Sequence, residues 1–180
     1  MNKLVPLLAL ALLTQATGCK TKDPAPPQPP PSPLSQLPPE TQTGQRTFGC
    51  LVNGQAWTPA GSPLGGPLLS AAYSNDRLGV SANRVIPVNN ISSFQRIGFS
   101  FEGIQNVGTY ALTDSLTKVG SYEDFENSCK TYTSKAQVGT LVITRLDPIA
   151  RIVSGRFSFT LEKAGCGRVV VTDGRFDCPF

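Results

Sequence analysis

Two short stretches decide most of what this chain can fold into. In Arg96–Glu102, Ile97, Phe99 and Phe101 alternate with Arg96, Gly98, Ser100 and Glu102. In Arg156–Glu162, Phe157, Phe159 and Leu161 alternate with Arg156, Ser158, Thr160 and Glu162. A period of two sends one set of side chains to each side of a pleated backbone, the signature of a half-buried antiparallel strand rather than a helix. Turn signals punctuate the rest: Asn53-Gly54, Asn75-Asp76 and Asp147-Pro148-Ile149-Ala150. Asn-Gly suits a two-residue hairpin because both central residues need positive φ, and Asp followed by Pro suits the start of a turn. These signals predict a hairpin over Phe48–Trp57 and a second from Leu68–Tyr73 to Arg77–Val85. A third, long hairpin runs from Val138–Leu146 to Arg151–Lys163, with a bulge where Ser154-Gly155 interrupts the alternation. Gly108–Leu112 reads as a short strand with Tyr110 and Leu112 inward. Arg168–Asp177 reads as the last strand, broken at Asp173-Gly174. Residues 113–128 are polar and read as a loop with one short strand around Tyr122.

The expected architecture is therefore all-β, a single antiparallel sandwich or strongly curled sheet (a partial barrel) over residues 45–180, with about eight to ten strands. About 136 residues can bury a core on their own. What precedes them differs in texture. Nine of the sixteen residues from Pro24 to Pro39 are Pro, a composition that favours extended polyproline II and buries too little to fold. Residues 19–44 thus read as a disordered tether, its sixteen Pro-rich residues long enough to hold a domain roughly 50 Å away at ~3.1 Å per residue.

Upstream again, Lys3 is followed by an apolar run, Leu4–Leu13. It is shorter than the ~20 residues a spanning helix needs and fits the apolar region of a secretory signal. The run ends in Ala16-Thr17-Gly18-Cys19, which resembles the lipobox of bacterial lipoproteins. That resemblance implies that residues 1–18 are removed and that Cys19 becomes the lipidated N-terminus, held firmly in a membrane because its acyl chains exceed the two-signal threshold. The expected location is the bacterial outer membrane, with the domain facing periplasm or medium; Lys20 after the Cys argues against inner-membrane retention.

Lys3 is the only charged residue before position 19, so the 16 Lys+Arg of the chain fall to 15 against 12 Asp+Glu. The basic residues are scattered, with no cluster that would make a nucleic-acid groove or a polybasic membrane patch. Setting Cys19 aside leaves Cys50, Cys129, Cys166 and Cys178. Four thiols in an oxidising compartment allow three pairings. A metal site is the rival, but the chain holds no His and no C-x-x-C pair. Cys129 lies 19 residues before Pro148 and Cys166 lies 18 after it, so a hairpin zipped that far would set them opposite each other. Cys50 and Cys178 would then be left to join the first strand to the last.

Leu37–Gly44, Thr47–Pro59, Ile143–Asp147, Ile152–Phe159 and Val171–Asp177 together resemble a family of Bacteroidota-type lipoproteins carrying an uncharacterised β domain. The resemblance implies fold and location and no activity. In that bacterial group a short acceptor pattern for O-glycosylation matches Asp114-Ser115-Leu116, making Ser115 a candidate sugar acceptor.

Little in the sequence points to catalysis. Without His, a Ser-His-Asp or Cys-His arrangement cannot be built. Ser115-Leu-Thr-Lys118 matches S-x-x-K but lacks the partner motifs of the penicillin-binding enzymes. Glu123, Asp124 and Glu126 offer hard oxygens for a weak calcium candidate whose spacing is not that of an EF-hand loop. Trp57 and Phe94 are the aromatics least clearly turned inward. The expectation is a monomeric, non-catalytic binding or envelope-structural module without a cofactor, taking an unknown protein or glycan ligand and no nucleic acid. The alternatives are a lipocalin-like carrier of a small apolar molecule and a carboxylate-only hydrolase such as a glycosidase.

Overall fold

The computed structural model describes residues 30–62, 66–88, 91–112, 117–126, 128–133 and 138–180. Cys19 and Ser115 fall outside these residues. From Pro31 to Phe180 the chain forms one compact unit of two antiparallel sheets packed face to face, the sandwich form of the expected all-β domain. Chain order gives β1 (Thr47–Val52), β2 (Gln55–Trp57), β3 (Leu69–Ser74), β4 (Arg77–Val88), β5 (Ile91–Phe101), β6 (Gly108–Leu112), β7 (Lys118–Asp124), β8 (Thr131–Thr133), β9 (Val138–Asp147), β10 (Ile152–Lys163) and β11 (Gly167–Pro179). One sheet runs β2-β1-β11-β10-β9-β6 and the other β3-β4-β5-β7-β8.

The turn signals act as their chemistry requires. Asn53 and Gly54 take φ of 48° and 80°, and Asn75 and Asp76 take 49° and 57°, closing β1–β2 and β3–β4 by two-residue turns. At the third turn Asp147 Oδ1 accepts the backbone N–H groups of Ile149 and Ala150 at 3.1 and 2.8 Å. Alternation carries Ile97, Phe99 and Phe101 of β5 and Phe157, Phe159 and Leu161 of β10 into the space between the sheets, where all are buried. Phe157 stands at the centre, with the rings of Phe48, Phe99, Phe159 and Phe176 at centroid distances of 5.0 to 6.3 Å.

Several expectations change. Residues 118–124 form a full strand that pairs with β5 over seven residues, and the short β8 follows it. The polar look of this segment hid alternation in which Gly120, Tyr122 and Asp124 face inward. The break expected at Asp173-Gly174 is a bulge within a continuous β11: register shifts there against both β1 and β10, and Asp173 takes φ of 52°. The bulge at Ser154-Gly155 is present, but the extra residue, Thr144, lies on the facing β9.

The folded unit also begins well before Gln45, the expected start of the domain. Pro33–Gln36 forms a 3-10 turn capped by Ser32, Leu37 is buried, and Pro38–Gln45 lies as a strap on the outer face of the six-stranded sheet. Composition had hidden the strap because its attachment is made by backbone donors. Asp177, fully buried on β11, accepts the N–H groups of Thr43, Gly44 and Gln45 at 2.8 to 3.0 Å and the hydroxyls of Thr41 at 2.7 Å and Ser154 at 2.6 Å. Arg156 pairs with Glu40 at 2.7 Å, and Arg145 donates to the Gln42 carbonyl.

Cys129 and Cys166 form a disulfide with α-carbons 5.7 Å apart, though by a different route from the extended hairpin. Pairing of β9 with β10 ends at Val138 and Thr160. Cys129 comes instead from the β7–β8 connection and Cys166 from the β10–β11 turn, so the bond joins one sheet to the other. Cys50 and Cys178 are free and buried, which corrects the expected second bridge. Opposite Thr47 on β1 lies Asp177, so Cys50 and Cys178 sit several residues apart along the ladder, beyond the ~7 Å limit for a disulfide. Burial raises both thiols, that of Cys178 to about 12 with the Asp177 charge adding to the effect, and they pack as small apolar groups.

Candidate functional site

The outer faces of the two sheets differ in what they carry. On the five-stranded sheet, two adjacent rows of outward side chains across β3, β4, β5 and β7 hold only small or short residues. One row is Ser70, Ser81, Gly98 and Ser121, and the next is Ala72, Gly79, Ser100 and Val119. These rows floor a trough of about 370 Å³ that crosses the four strands, roughly 15 Å at ~4.8 Å per strand. Ser121 donates to the Gly98 carbonyl at 3.3 Å. The hydroxyls of Ser70, Ser81 and Ser100 have no protein partner among the described residues.

Charged pairs bound the trough on both sides. Arg77 and Glu102 form an ion pair at one wall. At the other, Arg96 donates to Asn83 Oδ1 at 3.0 Å and approaches Glu123 at 3.5 Å. Asn83 is held in turn by its amide donating to the Pro67 carbonyl at 2.8 Å. Beyond this wall the Arg96 guanidinium lies 5.3 Å from the Phe94 ring centroid, and Phe94 meets the exposed Phe125 edge-on at 5.2 Å. Arg96 is thus clamped between an amide, a carboxylate and an aromatic face, an arrangement that keeps a flexible side chain in one place.

Of the two aromatics read as candidates, Phe94 joins this outer surface and Trp57 does not. Trp57 is buried, and its indole N–H donates to Gln95 Oε1 at 2.9 Å. Gln95 in turn donates to Asp124 at 3.3 Å, and so does the Tyr122 hydroxyl at 3.3 Å. Burial, then the Asp124 charge and hydrogen bond, raise the Tyr122 phenol well above its ordinary value, against a smaller opposing effect of Arg84. The Tyr122 hydroxyl therefore stays a neutral donor.

This network holds the residues of the calcium candidate apart. Glu123 and Asp124 are neighbours on a strand and point to opposite faces. Glu123 is drawn to Arg96, Asp124 to Tyr122 and Gln95, and Glu126 meets Asp124 only through its backbone N–H. Among the described residues no three such ligands converge. Lys118 of the S-x-x-K match lies on β7, paired with Phe101; its Ser115 lies outside the described residues, as does Cys19.

The trough itself escaped sequence reading. Its residues are the polar half of each alternation, and their small size has meaning only once four strands stand side by side. A family model for a domain of unknown function, DUF6252, matches residues 74–177, more than half of the chain. The chain belongs to the DUF6252 family. The matched part runs from the end of β3 into β11, so the DUF6252 domain includes the trough floor on β4, β5 and β7, the Arg96 wall, the Phe94–Phe125 pair and the disulfide. β1, β2 and the strap lie before it. No curated protein and no solved structure matches the chain.

Proposed function

We propose that this DUF6252 protein is an exported lipoprotein, anchored in the outer membrane through Cys19, whose sandwich is a non-catalytic binding module. One observation carries the binding part: the middle of the outer face of the five-stranded sheet holds only small side chains and is edged by a fixed arginine and an aromatic pair. Extended ligands are held by such surfaces through shape and a few fixed polar groups. Ser70, Ser81 and Ser100 supply hydroxyls, Arg96 and Glu123 supply a donor and an acceptor, and Phe94 with Phe125 supplies an apolar edge. A glycan or an extended peptide meets that combination. The apolar run and the Ala16-Thr17-Gly18-Cys19 stretch support the anchor, and the Pro-rich segment after it supports display at a distance.

Two measurements test this reading. Intact-mass analysis of the processed protein is expected to show an N-terminal Cys19 carrying acyl chains, and Cys19→Ser is expected to abolish that mass. On glycan and peptide arrays, Ser81→Trp, which fills the trough, and Phe125→Ala are expected to lose most of the signal while the melting temperature stays put. Unchanged array binding by both variants sinks the binding face.

A further inference from the structure

We propose that two copies of this chain pair edge to edge through β3, in antiparallel register about a two-fold axis at Ala71. The proposal goes beyond the binding reading and does not depend on the lipid anchor.

A sheet edge exposes the backbone groups of every second residue, and the pairing on the inner side says which. The Asn83 N–H donates to the Leu68 carbonyl at 2.7 Å, and the register continues as Ser70 with Ser81, Ala72 with Gly79 and Ser74 with Arg77. Those residues spend their backbone groups on β4. Leu69, Ala71 and Tyr73 therefore turn N–H and C=O to the free side, where they have no partner among the described residues.

Sheet edges are normally guarded by shortness, charge, proline or a bulge. The other edges fit that expectation in part: β2 and β8 have three residues each. β3 has six residues, Leu-Ser-Ala-Ala-Tyr-Ser, with no charge and no proline. Its register with β4 contains no bulge. Among the described residues it is the longest of the four edges, one residue longer than the equally uncharged β6, and it carries none of the other guards.

The occupant follows from the strand's own symmetry. When a copy is laid antiparallel with Ala71 opposite Ala71, Leu69 faces Tyr73 and Tyr73 faces Leu69. All these residues direct their backbone groups to the shared edge, so three opposed pairs exchange about two bonds each. Parity also agrees. Leu69, Ala71 and Tyr73 pack toward the core on each copy, and Ser70 meets Ala72 on the outer face. A shift by one residue would set core-facing side chains against outward ones. No like charges meet, because the strand has none. The product is a continuous sheet of about ten strands, five from each copy, with the two troughs abutting where Ser70 of one copy meets Ala72 of the other. Such a closed two-fold contact is the commonest form of self-association.

The test uses the full chain carrying Cys19→Ser, so that no acyl group drives association. Light scattering is expected to give the dimer mass, and Ala71→Pro is expected to give the monomer mass with unchanged circular dichroism. Proline removes an edge N–H and is tolerated on edge strands. Cross-linking provides the second arm, which stands even where Ala71→Pro unfolds the domain. A Ser70→Cys chain mixed with an Ala72→Cys chain is expected to form a disulfide-linked dimer, because a non-hydrogen-bonded pair sets α-carbons ~4.5 Å apart. Either variant alone is expected to cross-link far less, since like positions then sit ~7–8 Å apart. A monomer mass at the highest soluble concentration overturns the proposal. So does a dimer that a folded Ala71→Pro leaves intact, or cross-linking as strong in the single variants as in the mixture.

Discussion

The outer faces of the two sheets are built from the same alternating pattern and put to opposite uses. The six-stranded sheet carries its strap like a fastened belt: Asp177 gathers backbone and hydroxyl donors from Thr41 to Gln45, while Arg156 and Arg145 hold Glu40 and the Gln42 carbonyl. The five-stranded sheet is left bare, its floor of Ser, Gly and Ala bounded by ion pairs. A buried carboxylate is tolerable only where several donors reach it. The covered face supplies those donors, and among the described residues the open face has no comparable group. Covering therefore stabilises one face, and the other is free to meet something else.

The largest expected effect comes from breaking the belt. Asp177→Ala leaves three backbone N–H groups and two hydroxyls without their acceptor, a loss of about 3 kcal/mol or more. Urea unfolding should show it, and limited proteolysis should cut between Leu37 and Gln45. A variant as stable as the parent with an intact strap would mean that the belt is decoration. The disulfide comes next. Its sequence separation of 37 residues gives a loop-closure estimate of about 3–4 kcal/mol. Cys129→Ser with Cys166→Ser should lower the melting temperature accordingly.

The pH response follows from the same carboxylate. Burial pushes Asp177 up, but hydrogen bonds from Gln45, Ser154, Thr41 and Gly44 together outweigh it and bring the group down to about 2. A depressed carboxyl contributes stability above its unfolded value near 3.9, and that contribution drains away as pH falls toward 2. Stability should therefore fall by about 2 kcal/mol between pH 4 and pH 2 on account of this group. Asp177→Asn should flatten that part of the profile; an unchanged profile would assign the acid sensitivity elsewhere.

The smallest effects draw the contrast most sharply. A Cβ at Gly49, beneath the strap, would come within 2.6 Å of Pro38 Cδ, whereas at Gly79 on the trough floor it would meet nothing within 4 Å. Gly49→Ala should cost about 1–3 kcal/mol through overpacking. Gly79→Ala should be neutral or stabilising by a few tenths, because it restricts the unfolded chain. Equal effects at both sites would erase the distinction between the faces.

Much of the fold was legible where a residue's neighbours along the chain carry the signal. Asn53-Gly54 and Asn75-Asp76 state their turns locally, and Phe157, Phe159 and Leu161 declare an inward face by spacing alone. β7 was not legible, because Gly120 and Asp124 are inward residues that look polar or empty until Phe159 and Gln95 are set against them. The disulfide partners were legible and their reason was not. Distance from the turn suggested Cys129 and Cys166, while the structure brings them together across the sandwich.

What the sequence determined by itself is therefore the β class, the hairpins and the inward aromatics. Tertiary structure alone decided that Asp177 is the acceptor for the strap, that Cys50 and Cys178 stay apart, and that scattered Ser and Gly residues become one trough. The physical reason is range. Turn preference and pleat alternation act between residues a few bonds apart, whereas hydrogen bonds to a buried carboxylate and a floor made from four strands depend on segments that meet only after the sheets have closed.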